Sequence, residues 1–156
     1  MLSPETRVVV ILVAIDEYEL APPDDPLGRS QLETLPRIRS DVASLQTLFA
    51  CPGYNKQGFQ TLEPITGSAG QIVDQLSKIS RMLLEHKRPL TALLFWSGHG
   101  RAWGHQTRLA TRECYEPLNP GDGLPPDEVI TKLGLPAFER SGSCAMSARA
   151  APQARA

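Results

Sequence analysis

A histidine set between two glycines, Ser97-Gly98-His99-Gly100, is where side-chain chemistry is concentrated in this chain of 156 residues. It follows Leu90-Thr91-Ala92-Leu93-Leu94-Phe95-Trp96, an apolar run without helical spacing. Such a run predicts a strand buried on both faces. In an open α/β sheet, groups just past the carboxyl end of a strand face the ligand crevice. An imidazole placed there can accept or give up a proton near neutral pH. Glycine on either side leaves room for a substrate backbone to come close. A turn histidine between two loop glycines is the plainer alternative.

The other groups with chemical capacity are three cysteines, Cys51, Cys114 and Cys144. Three thiols cannot all pair within one chain, and an intracellular setting would keep them reduced, so no disulfide framework is expected. A zinc site drawn from His99, His105, Cys114 and Cys144 is conceivable, but no C-x-x-C or H-x-x-x-H spacing supports it. No metal is therefore expected. A formal net charge of −1 gives no reason to expect nucleic acid or an anionic membrane as a partner. The longest apolar run, residues 8–15, is far short of the roughly 20 residues needed to cross a bilayer. Glu5 precedes it and Asp16 and Glu17 follow, without the small-residue cleavage pattern of a leader, so a cytoplasmic location is expected.

Around these groups the chain reads as one domain of alternating elements. Residues 8–15 predict a first central strand, and Pro22, Pro23, Pro26 and Gly28 make residues 19–31 a loop. Apolar residues at 38, 42, 45, 48 and 49 predict an amphipathic helix, stopped by Pro52-Gly53. Residues 58–62 predict a short strand nearer a sheet edge. Thr66 to Ser68 offer N-cap chemistry for a second helix carrying Ile72, Leu76, Ile79 and Leu83, which ends before Pro89. With the strand before His99 the order is β-α-β-α-β, which argues for an α/β fold. The expected architecture is a three-layer αβα, Rossmann-like domain with a mostly parallel sheet. Residues 101–106 read as a polar turn, 107–112 as a short extended segment, 119–123 as a turn and 125–133 as a helix. Beyond Gly134 the pattern fails. Pro136, Ser141-Gly142-Ser143 and an Ala/Arg/Ser tail supply no apolar periodicity. The expected domain thus covers residues 1–137 and lacks its last strand or strands, with 138–156 disordered. Such an ending suits a truncated or frame-shifted gene. No G-x-G-x-x-G follows the first strand and no P-loop occurs, which weighs against a nucleotide-binding or flavodoxin-like domain.

The order of these elements and their sequence words resemble the caspase-like cysteine peptidases, nearest the bacterial metacaspase-type branch. The resemblance rests on Ala14-Ile15-Asp16-Glu17-Tyr18 closing the first strand. It rests also on the helix opening Leu35-Pro36-Arg37-Ile38-Arg39-Ser40-Asp41-Val42-Ala43-Ser44-Leu45, followed by Gly58-Phe59. The third word is Leu94-Phe95-Trp96-Ser97-Gly98-His99-Gly100, similar to the family's catalytic-histidine signature. Leu109-Ala110-Thr111-Arg112-Glu113 and the helix over 124–133 also fall where the family has them, so the likeness covers about residues 6–135. It implies a cysteine-type endopeptidase working through a His-Cys dyad on a peptide or protein substrate, without a cofactor. Calcium dependence is common in the metacaspase branch, although no acidic cluster here identifies a site. His99 matches the dyad histidine. Ser97 and Asp41 match positions lining the primary specificity pocket, with Gly98 and Gly100 beside them. A buried carboxylate at Asp41, in the opening turn of its helix, would favour a substrate Arg or Lys, whereas an ordinary first-turn acid would only complement the helix dipole.

The chain departs from the family at the nucleophile. That cysteine follows a buried strand about 50 residues after the histidine. Here Cys144 lies 144 − 99 = 45 residues on, with no apolar strand before it. Cys114 is only 15 residues from His99, and Cys51 follows a helix. A second reading is therefore a catalytically silent caspase-like module that binds or regulates partners.

Overall fold

Val9, Val10, Ile11, Leu12 and Val13 have almost no exposed surface, and the architecture is built outward from them. The structure, a computed structural model, describes residues 2–86 and 88–134. In chain order its elements are β1 (Val8–Ala14), β2 (Ser30–Gln31), α1 (Arg37–Ala50), α2 (Pro52–Lys56), β3 (Phe59–Thr61) and α3 (Ala69–Leu84). There follow β4 (Thr91–Ser97), β5 (Gly100–Trp103), β6 (Gln106–Leu109), β7 (Tyr115–Glu116) and α4 (Pro126–Lys132).

The central sheet is parallel, in the order β3-β1-β4. Successive side chains of a strand face opposite ways. Val9, Ile11 and Val13 accordingly pack with Ile72, Leu76 and Ile79 of α3, while Val10 and Leu12 pack with Ile38, Val42 and Phe49 of α1. Helices thus cover both faces of one sheet, an α/β arrangement in three layers. The connections leave β1 in one direction and return past it to β4, so strand order reverses beside β1. That reversal point is where open α/β sheets hold ligands. α3 begins with a capping box: the Ser68 Oγ accepts the Gln71 N–H, and the Gln71 side chain accepts the Ser68 N–H.

Four sequence expectations need correction. β4 is not enclosed: it forms an edge of the three-stranded sheet among the described residues, and Ala92, Leu93, Leu94 and Phe95 are only half-buried. The proline-rich loop is not wholly irregular, because Ser30 and Gln31 pair antiparallel with Glu116 and Tyr115. Pro52 does not merely end α1. Its fixed φ suits a first helical position, and it starts the five-residue α2. The polar turn after His99 is a hairpin, with Gly100 opposite Leu109 and Trp103 opposite Gln106. Gly104 makes the reversal at φ 58°, the left-handed region that a two-residue turn needs at its first position. The disorder expected for 138–156 lies outside the described residues. No helix among the described residues is long and apolar enough to cross a membrane.

Burial separates side chains that hold the layers from those that do not. Leu76→Ala, at a site with 0% exposure, is expected to lower unfolding free energy by about 3 kcal/mol in urea denaturation. Leu48→Ala, at a leucine 48% exposed, should stay within about 0.5 kcal/mol of the parent. Equal losses at the two sites would contradict the layer assignment.

Candidate functional site at the carboxyl edge of the sheet

β1 and β4 run in register from Val8 opposite Thr91 to Ala14 opposite Ser97, so both strands end at the same level. The pairing continues one step further, where the Ile15 N–H donates to the Ser97 carbonyl at 2.9 Å. The chain leaving β1 therefore brings Asp16, Glu17 and Tyr18 beside Gly98 and His99 leaving β4. Ser97, Gly98, His99 and Gly100 follow one another across this strand end.

His99 is held on three sides. Its backbone N–H donates to the Tyr18 hydroxyl at 2.9 Å, and its carbonyl accepts the Ala110 N–H at 2.9 Å. Its Nε2 lies 2.8 Å from the backbone carbonyl of Glu33. A carbonyl oxygen can only accept, so Nε2 carries a proton and, in the neutral ring, the lone pair is on Nδ1. The ring is thereby oriented as a base at Nδ1, following the rule that the partner of one imidazole nitrogen decides the role of the other. The Tyr18 ring lies alongside, 5.2 Å between centroids and tilted 50°. Tyr18 and Glu33 carry no sequence signal of this kind, since one acts through a distant hydroxyl and the other through its backbone.

The two glycines have an internal reason for being there. A Cβ on Gly98 would lie 3.3 Å from the Ile15 Cβ, and one on Gly100 would lie 3.1 Å from the Arg108 carbonyl. Each lets neighbouring backbone close around the histidine.

Asp41 requires correction. α1 begins at Arg37, so Asp41 is in its second turn rather than its opening one, and it is exposed rather than buried. At 3.6 residues per turn, Arg39 and Asp41 lie on opposite flanks of the buried Ile38–Val42 stripe. The flank facing the end of β1 carries Arg39, which forms ion pairs with both Asp16 and Glu17. The Asp16 carboxylate on that guanidinium pushes the Arg39 pKa up.

Of the thiols, Cys51 lies between α1 and α2, at the opposite edge of the sheet. Cys114 is buried, and its Sγ takes the Thr111 N–H at 3.3 Å. Burial pushes the Cys114 thiol up, so it stays protonated and is a poor nucleophile. Cys144 lies outside the described residues. His105 is exposed at the hairpin turn, away from buried Cys114, and no three metal-ligating side chains converge among the described residues.

The segment after the hairpin is tied to the helix layer by Glu113, whose Oε1 accepts the Ala69 N–H at 2.7 Å in the first turn of α3. The loop between Tyr18 and Glu33 frames a cleft of about 400 Å³ among Leu20, Pro22, Asp25, Arg29 and Gln31. Arg29 closes that loop: it bonds Asp25 through Nε and Nη2 and sits 5.2 Å over the Tyr115 ring. Its hydrogen bonds hold the Asp25 carboxyl below the usual carboxylate range.

Burial pushes the Tyr18 hydroxyl up to about 12, against the opposing pull of the His99 N–H bond. Its folded value thus exceeds the ordinary value of 10.0. The stability this contributes is fully present below pH 10 and is lost as pH rises towards 12, an effect of about 3 kcal/mol. Urea midpoints measured from pH 9 to 12 should fall more steeply for the parent than for Tyr18→Phe; superimposed curves would show that Tyr18 is not the titrating group. No protein family matches the chain, and no curated protein matches it either.

Proposed function

We propose that this chain is a caspase-like cysteine endopeptidase domain that cleaves peptide bonds after basic residues, with His99 as general base. The observation that carries this reading is the bond from His99 Nε2–H to the Glu33 carbonyl, which leaves Nδ1 as acceptor at the strand-order reversal. In the proposed reaction the Cys144 thiol gives its proton to His99 Nδ1, and its sulfur bonds to the scissile carbonyl carbon. The carbon–nitrogen bond then breaks as the imidazolium protonates the departing amine. Water, deprotonated by the same nitrogen, releases the acyl group and restores the thiol. Ser97, half-buried at the end of β4, is the pocket residue that stands next to His99, whereas Asp41 is exposed on the flank of α1 turned away from the end of β1.

A silent caspase-like binding module is the second reading. It is favoured by the two described thiols, one at the far edge of the sheet and one held protonated.

Fluorogenic peptides ending in Arg or Lys separate these readings. The peptidase reading expects cleavage by the parent chain and loss of at least ~100-fold in kcat/KM for His99→Ala and for Cys144→Ala. Asp41→Asn, on the flank of α1 away from His99, should leave KM for Arg substrates within about twofold of the parent. A folded parent chain as inactive as His99→Ala would leave the silent module. Unchanged activity in Cys144→Ala would remove that residue as nucleophile.

A further inference from the structure

Two of the three anchors of His99 come from the two ends of one loop. Tyr18 begins it and holds the His99 backbone, while Glu33 near its end holds the imidazole. Between them the Gln31 side chain donates to the Tyr18 carbonyl, and Ser30 and Gln31 pair with β7. The Tyr18 hydroxyl is the joint of this clamp. It accepts the His99 N–H and donates its own proton to the Ile15 carbonyl at 3.0 Å, so it bridges the two strand ends. With Tyr18 only 4% exposed, bulk water does not reach this bridge.

We propose that Tyr18 is a positioning residue for His99: its hydroxyl fixes the histidine backbone so that the ring stays on the Glu33 carbonyl and Nδ1 stays the free acceptor. The assignment rests on the reading of His99 as a base, but its physical content, the state of the imidazole, is measurable without substrate. Tyr18→Phe keeps the ring beside the imidazole and removes only the bridge. The His99 N–H and the Ile15 carbonyl then lose their shared partner, and the backbone relaxes to find others.

The test uses the full chain labelled with ¹⁵N-histidine. In the parent, under alkaline conditions that keep the imidazole neutral, His99 should show one protonated nitrogen, Nε2, and one unprotonated nitrogen, Nδ1. In Tyr18→Phe the two shifts should converge as the tautomers mix, and the His99 amide should exchange about tenfold faster. Amides of β1 should keep their protection. Gln31→Ala, which frees the Tyr18 carbonyl from outside the core, should move the same signals less, and it serves if Tyr18→Phe does not fold. On Arg peptides, Tyr18→Phe should lower kcat by about 10- to 100-fold with KM changed less than about twofold. Parent-like ring shifts and amide exchange in the folded variants would overturn the assignment while leaving any peptidase activity standing. A parent chain that cleaves nothing but shows the expected shifts would overturn the peptidase reading and support the role of Tyr18.

Discussion

The seven-residue parallel ladder between β1 and β4 is the constraint on which the site depends. A parallel pair needs a long crossover, and the crossover here, through α1, β3 and α3, separates the strands by about half of the chain. Register is fixed because β1 is buried on both faces, and a one-residue slip would exchange its α1-facing and α3-facing side chains. Since Ala14 and Ser97 end level, a tyrosine four residues past one strand end can reach a histidine amide just past the other. Nothing in the loop chemistry would produce that meeting without the ladder.

Around it, the site is assembled mainly from backbone groups. The Glu33 and Ile15 carbonyls, the Ala110 N–H and the His99 N–H all find partners in a space of a few ångströms. A buried polar group left without one costs about 1–3 kcal/mol, so each pairing restrains its neighbours. The glycines serve the same closeness by admitting the Ile15 and Arg108 backbone. Charge plays its part further out, where Arg39 spans Asp16 and Glu17 and Arg29 locks Asp25.

The layers were legible because they obey simple periods. The run from Val8 to Ala14 could only be a buried strand, and the spacing of Ile72, Leu76 and Ile79 could only be one helix face. His99 was legible because a strand delivers it. Its partners were not: Tyr18 stands 81 residues away, and Glu33 contributes an atom that every residue possesses. Asp41 misled because one residue cannot reveal which flank of a helix meets the crevice, and that flank carries Arg39. The β5–β6 hairpin escaped notice because Arg101, Gln106 and Arg108 give it a polar face that reads as a turn.

The unpaired side of β4 has its own consequence. The Thr91 N–H bonds to Arg7 and the Ser97 carbonyl accepts from Ile15, so the odd-numbered residues of this strand address β1. The backbone groups of Ala92, Leu94 and Trp96 point the other way, where nothing among the described residues receives them. This flank has no lysine, proline or bulge, the usual means by which natural sheets blunt an edge. The odd amides of this strand are therefore bonded within the sheet, while the even ones meet no backbone acceptor among the described residues. Amide exchange along this one stretch of backbone would then alternate with a period of two.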